Sequence, residues 1–188
     1  MEQKAWIIDE KTAKQYLTVE DAIDCVEKTW KWYGEGRVIM PNKITTDMSE
    51  LGVAGWFNSG DQINDLRTGA QPAVMARLLA AKTDVVTIIG TGLQGYMSLL
   101  CMSKVLDMKE IRVCDISEAA MDRNIARIPD APFRFVKCKS NEEGCRGSDV
   151  IITVTNANAD LVEEPWVTPG ALVMTMGSFR ETSFDVVR

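Results

Sequence analysis

Apolar residues recur along this chain with two different periods, and the change of period falls near residue 82. Between residues 18 and 36 the spacing is helical. Thr18 stands before Val19-Glu20-Asp21 as an N-cap with acidic first-turn residues, Ala22, Ile23, Val26, Trp30 and Tyr33 form one stripe, and Gly34 and Gly36 close the element. The stripe, its aromatic residues included, is expected to be core. The segment RVIMPNKITTDMSELGVAGWF follows, with β-branched and apolar residues on either side of a turn near residues 49–52, and reads as a two-stranded hairpin. Such a hairpin is marginal alone and needs further strands. After a turn at Asn58-Ser59-Gly60-Asp61, a helix is predicted over 68–82. It would carry Val74, Leu78 and Leu79 inward and hold Pro72 in its first turn, where a missing N–H is tolerated.

From residue 84, apolar runs of strand length alternate with helical segments: VVTIIG, GLQGYMSLLCMSKVL, EIRVCD, ISEAAMDRNIAR, FRFVK, a short helix at 141–144, DVIITVT and, past a loop at 166–170, ALVMTMG. That alternation predicts an α/β fold with a doubly wound parallel sheet. Apolar runs such as VVTIIG and DVIITVT suit strands buried on both faces. The boundary near residue 82 divides an N-terminal α+β domain, 1–82, from the α/β domain, 83–188.

The chemistry begins at Gly90-Thr91-Gly92-Leu93-Gln94-Gly95, a GxGxxG that follows a predicted strand and opens a predicted helix. Gly90 permits a tight turn, Gly92 lets the backbone approach a pyrophosphate, and Gly95 allows close helix packing, while the free amides of the helix start attract phosphate. Asp115 closes the next strand, twenty residues after Gly95. A carboxylate there accepts hydrogen bonds from the ribose hydroxyls of NAD and repels the 2′-phosphate of NADP, so the domain reads as a Rossmann-type NAD site. FAD and S-adenosylmethionine sites use related glycine turns and are the alternatives.

Composition narrows the partners. A net charge of −6 and a pI near 4.8 argue against nucleic acid and anionic membrane surfaces, leaving small molecules. The start, EQKAWIIDEKTAK after Met1, lacks the basic and apolar regions of a signal peptide, and no run approaches the roughly 18 apolar residues of a membrane span, so the cytoplasm is expected. The five cysteines, Cys25, Cys101, Cys114, Cys138 and Cys145, are odd in number and irregular in spacing, and there is no histidine. Reduced structural thiols are therefore expected in preference to disulfides or zinc. The absence of imidazole also removes Ser-His-Asp and Cys-His mechanisms and leaves proton transfer to Lys, Asp, Glu or a cofactor.

The motifs LTVEDAI with Tyr33 and Gly36, then MPNK, then DLRTGA ahead of GTGLQ, with DVIITVT, Trp166 before PGA, and MGS downstream, together resemble the ornithine cyclodeaminase and mu-crystallin family. The resemblance implies NAD(P)-dependent hydride transfer at the α-carbon of an amino acid or its imine, with ornithine cyclodeaminases, alanine dehydrogenases and ketimine reductases among the members. It implies that 1–82 is a substrate and dimerisation domain and that the protein is a homodimer. By position, Arg67 is similar to the arginine that grips the substrate α-carboxylate, where a guanidinium forks onto two oxygens. Lys43 corresponds to a second carboxylate-binding basic residue, as a point charge without the fork. Thr68 matches a cofactor-phosphate contact, Leu93 and Gln94 the pyrophosphate contacts, Asp115 the ribose acid, Thr155 a residue lining the cofactor, and Val173, Met174 and Thr175 the strand beneath the nicotinamide.

The departures are as informative. Between Phe57-Asn58 and Asp61-Gln62 the family carries further strands of the substrate domain and the lysine that moves the proton; here the two flanks nearly meet, which leaves 1–82 incomplete. Ser178-Phe179 stands where cyclodeaminases have an Ala-Asp pair whose aspartate holds the substrate amine, so ornithine cyclisation is disfavoured, with Glu181 the nearest substitute carboxylate. The chain ends at Arg188, ahead of the family's closing strands. Part of a longer enzyme is the expectation; a natural internal deletion and a nucleotide-binding remnant without turnover, in the manner of a silent mu-crystallin, are the alternatives.

Overall fold

The computed structural model describes residues 9–39 and 61–187. The expected hairpin from residue 40 onward, its turn, the start of the turn at Asn58, and Lys43 lie outside those residues. A short helix, α1 (Glu10–Tyr16), is capped by Asp9, whose carboxylate accepts from the Thr12 amide. The capping box at Thr18 is present: the Thr18 hydroxyl accepts from the Asp21 amide at 3.1 Å and the Asp21 carboxylate accepts from the Thr18 amide at 3.1 Å. Helix α2 (Val19–Gly34) starts there and ends as expected, with Gly36 turning away at φ 70°.

Only the first half of the α2 stripe is core. Ala22 and Ile23 are buried, while Trp30 and Tyr33 are 38% and 46% exposed and line an apolar groove with Cys25, Val26, Ile63 and Leu66. The first turns of α2 are held on the body of the protein by the buried Ala22 and Ile23, with an exposed Glu20–Lys104 pair at 3.0 Å beside them; beyond Val26 the face is only partly covered, across the groove, by Ile63, Leu66 and Gln71 of the next helix.

Helix α3 (Asp61–Leu79) begins at Asp61 rather than at residue 68, so Pro72 sits in its interior and deprives the Thr68 carbonyl of its usual donor. Leu78 and Leu79, expected inward, are 61% and 64% exposed. The buried face is Leu66, Ala70, Ala73, Val74 and Ala76, built mainly of small residues that let α3 lie close on α4 (Leu93–Val105). At Gly69 an added Cβ would stand 2.7 Å from the Met97 carbonyl carbon. The contact of this helix is thus made by its small residues, and the large apolar Leu78 and Leu79 face outward.

The predicted alternation is otherwise present. Strands β1 (Val85–Ile89), β2 (Glu110–Cys114), β3 (Arg134–Lys137), β4 (Val150–Thr153) and β5 (Leu172–Thr175) form one fully parallel sheet in the order β3-β2-β1-β4-β5, connected by α4, α5 (Glu118–Ala126) and α6 (Asn141–Cys145), and between β4 and β5 by a loop with a 3-10 turn. This is the order of a Rossmann half-sheet extended past its switch point, where the direction of strand addition reverses between β1 and β4. Val86, Ile88, Ile111, Val113, Val150 and Ile152 face α3 and α4 in one apolar cluster, and Ile89, Cys114, Cys138, Cys145 and Ile151 face the other way. The cysteines are free thiols, as expected; burial pushes Cys145 up to about 11 and Cys101 up to about 12, which makes them poor nucleophiles. No helix among the described residues is long and apolar enough to cross a membrane.

Candidate functional site

The turn from β1 into α4 needs each of its glycines for a separate reason. Gly90 has φ 100°, and an added Cβ would lie 2.6 Å from the Val154 carbonyl oxygen and 2.8 Å from the Thr155 methyl carbon. At Gly95 an added Cβ would lie 2.1 Å from the Gly90 carbonyl oxygen. Gly92 is different, since an added Cβ there would meet no atom within 4 Å. It is the N-cap of α4 and supplies no side-chain bond, so the amides of the first turn are left unclaimed by a cap beneath open space.

Asp115 stands beside this turn at the end of β2. Its Oδ2 accepts from the Thr91 amide at 2.7 Å and from the Thr91 hydroxyl at 2.9 Å, and its Oδ1 accepts from the Ser117 amide at 2.9 Å. Burial alone would raise its pKa, but the bonds from Thr91 and Ser117 outweigh burial and hold the carboxyl below the usual range. Thr91 is fixed in turn from α5, where Asn124 Nδ2 donates to its carbonyl at 3.2 Å.

Over the carboxyl ends of β1 and β4, at the switch point, lies a polar cleft of about 510 Å³. Helix α3 supplies Asn64, Arg67, Thr68 and Gln71; the start of α4 supplies Gly92, Leu93 and Gln94; the loops after β4 and β5 supply Val154, Thr155, Asn156, Met176, Gly177 and Ser178. Arg67 is exposed, donates from Nη2 to Asn64 Oδ1 at 2.7 Å, and also borders the apolar groove along α2. Gln94 donates from Nε2 to Asp65 Oδ1 at 2.8 Å, which pins α4 to α3, while its Oε1 is buried with no partner among the described residues.

The cleft thus gathers Arg67, Thr68, Gly92, Leu93, Gln94 and Thr155, with Gly90 and Gly95 shaping it from below and Asp115 beyond its edge. Val173, Met174 and Thr175 do not line it; the wall is formed by residues 176–178, because the crevice of a parallel sheet lies beyond the ends of its strands. Glu181 does not serve as a substitute carboxylate. It is 1% exposed and turned away, occupied by donors from Thr153, Thr155 and Gly177. Asn64, Gln71 and Asn156 also line the cleft, and a single polar residue carries no spacing signal by which the sequence could single it out.

A model of the ornithine cyclodeaminase/mu-crystallin family matches residues 49–183. The chain belongs to this family. The resemblance read from RTGA and GTGLQ is therefore borne out. Ornithine cyclodeaminase of Brucella abortus biovar 1 (strain 9-941) is 36% identical over 115 residues, which cover 60% of this chain and 32% of that protein. Alanine dehydrogenase of Archaeoglobus fulgidus is 23% identical over 216 aligned positions, covering 92% of this chain and 66% of the relative. That alignment is longer than the 188 residues present here, so this family member has positions with no counterpart in the chain. The chain spans about a third of the length of the cyclodeaminases that it matches. Among solved structures, Thermococcus litoralis Δ1-pyrroline-2-carboxylate reductase in complex with NADH and L-proline superposes with a TM-score of 0.80 at 18% identity, covering 93% of this chain and 70% of that one, a likeness of fold.

Proposed function

We propose that this chain binds NAD(H) across the cleft and holds the carboxylate of a small amino acid or cyclic imine on Arg67, as the cofactor-binding portion of an NAD-dependent oxidoreductase or lyase of the ornithine cyclodeaminase type. A homodimer in the cytoplasm is part of the same reading. The observation that carries the proposal is the convergence on one polar cleft of an uncapped helix N-terminus and an exposed guanidinium. The residues fit the cofactor. Gly92 leaves room where a pyrophosphate would meet the first-turn amides of α4, Leu93 and Gln94 flank that position, Thr68 faces it from α3, and Asp115, ionised and held by Thr91 and by the amides that follow it, offers its carboxylate to a ribose hydroxyl. When bound, NAD supplies or accepts the hydride at its nicotinamide. Arg67 has donors beyond the one given to Asn64 and fixes a carboxylate by paired bonds, which orients the α-carbon.

Two measurements test this. NADH is expected to bind at least about tenfold more tightly than NADPH, since a 2′-phosphate would face Asp115; equal affinities in parallel fluorescence titrations exclude that role. Arg67→Lys is expected to raise the KM of the amino or imino acid about tenfold with little change in the NADH Kd, because one paired interaction becomes a single one. An unchanged KM disposes of the carboxylate role.

A second reading, binding without turnover, is favoured by one observation. No Lys, Asp, Glu or His is among the described residues lining the cleft, so they include no ordinary proton carrier. NADH bound without oxidation across a panel of imines would support it, and the Arg67→Lys comparison is then made on the Kd of L-proline in the presence of NADH.

A further inference from the structure

Glu181 is a buried carboxylate that the reading above leaves without a task. Its Oε2 accepts from Thr153 Oγ1 at 2.9 Å and from the Gly177 amide at 2.8 Å; its Oε1 accepts from the Thr155 amide at 2.7 Å and from the Thr155 hydroxyl at 2.6 Å. The four donors come from the two sides of one boundary, residues 153–155 at the end of β4 and residue 177 after β5, and Thr155 and Gly177 also line the cleft. An ionised carboxylate is an acceptor alone, and here four donors converge on its two oxygens.

Two further observations show how tightly this hub is built. A Cβ added at Gly177 would press directly on the Glu181 carboxyl group, so this glycine lets the carboxylate lie against the backbone after β5. The Thr155 hydroxyl is committed twice, donating to Glu181 and accepting from the Ala157 amide at 3.0 Å, which turns its methyl group toward Gly90, where an added Cβ would approach it to 2.8 Å. A continuous chain of contacts thus runs from Glu181 through Thr155 to the glycine turn.

We infer that Glu181 is a positioning residue that sets the gap between the loops after β4 and β5, and so shapes the end of the cleft that receives the nicotinamide half of the cofactor. The inference rests on the NAD reading. The sheet order supports the assignment of ends. Asp115 lies at β2 and marks the adenosine side, the uncapped start of α4 lies over the middle, and the remaining length of an extended dinucleotide falls over β4 and β5, where Thr155, Met176, Gly177 and Ser178 stand. A side chain that touches none of the ligand still controls how well it is held, because buried charge-assisted bonds fix both walls at once.

The test compares NADH with ADP, which carries the adenosine and pyrophosphate but no nicotinamide. Glu181→Gln preserves shape and replaces one acceptor by an NH2 group that faces a donor. It is expected to weaken NADH about tenfold or more in calorimetric titration while ADP changes by less than twofold, so that the ratio of the two affinities falls about tenfold. A general loss of structure would move both ligands together; an unchanged ratio, with either both affinities kept or both lost, overturns the inference. Should E181Q fail to fold, Thr155→Val removes one of the four bonds and leaves the carboxylate in place, and the same ratio is expected to fall about threefold; an unchanged ratio there overturns the inference equally. Failure of the wild-type chain to bind NADH overturns the cofactor reading itself, whereas NADH binding by the wild type with an unmoved ratio in the variants overturns the positioning role alone.

Discussion

Gly95→Ala is expected to destabilise the protein by about 3 kcal/mol or more and to abolish NADH binding at concentrations that saturate the unchanged chain. An added methyl at Gly95 would lie 2.1 Å from the Gly90 carbonyl oxygen and 3.1 Å from its carbonyl carbon, both backbone atoms with no rotamer by which to escape. Gly90 cannot retreat. Its amide donates to the Cys114 carbonyl at 2.9 Å, and its own φ of 100° brings it against the Val154 carbonyl. Nor can α4 retreat easily, since Leu99, Cys101 and Met102 on it are fully buried. Relief must come from displacing the start of α4, the part whose amides face the cleft. Gly92→Ala is the control, because a methyl there meets no atom within 4 Å and stability should change by less than about 1 kcal/mol. Urea denaturation reads the first effect as a lower midpoint at unchanged slope. Wild-type stability in the Gly95 variant would mean that the turn is not packed as described.

The same contacts explain what could be read from the chain and what could not. The strands were legible because a parallel sheet buried on both faces demands near-continuous apolar runs, and VVTII and VIIT supply them. The glycine turn and Asp115 were legible because the tight turn and the close helix start fix both residue type and spacing, as the proposed dinucleotide site requires. Helix α3 was misplaced at its start because its contact with α4 uses Gly69, Ala70 and Ala73, residues that a hydrophobic stripe does not display, and because Pro72 imitates a first turn. The groove beside Trp30 and Tyr33 follows from how little of α2 is covered, which local periodicity does not record. By its position in the sequence Glu181 offers itself only as a substitute carboxylate near the substrate. Its burial depends on donors from Thr153, Thr155 and Gly177, brought together only when β4 and β5 pair, so no local pattern announces it.

Gly69→Ala should reach the cleft from the opposite wall. An added Cβ would stand 2.7 Å from the carbonyl carbon of Met97 and 2.8 Å from its Cβ and carbonyl oxygen, so two helix backbones, rather than a flexible side-chain tip, must give way. Overpacking of this kind costs about 2–3 kcal/mol, and here the strain has a direction. Arg67 and Thr68 immediately precede Gly69 on α3, while Leu93 and Gln94 lie one turn before Met97 on α4; all four line the cleft. Forcing the two axes apart therefore widens the space between the α3 wall, proposed to hold the carboxylate, and the α4 wall, proposed to hold the phosphates, and lengthens the 2.8 Å bond between Gln94 and Asp65 that ties them. Because a misplacement of about 1 Å between reacting groups can cost on the order of a hundredfold, NADH affinity and any turnover should fall by more than the loss of stability alone explains. The decisive comparison is NADH titration well below the denaturation midpoint of the variant. Weakened binding in a fully folded sample ties affinity to the spacing of α3 and α4, whereas wild-type affinity in that sample would show that the cleft does not depend on how closely those helices approach.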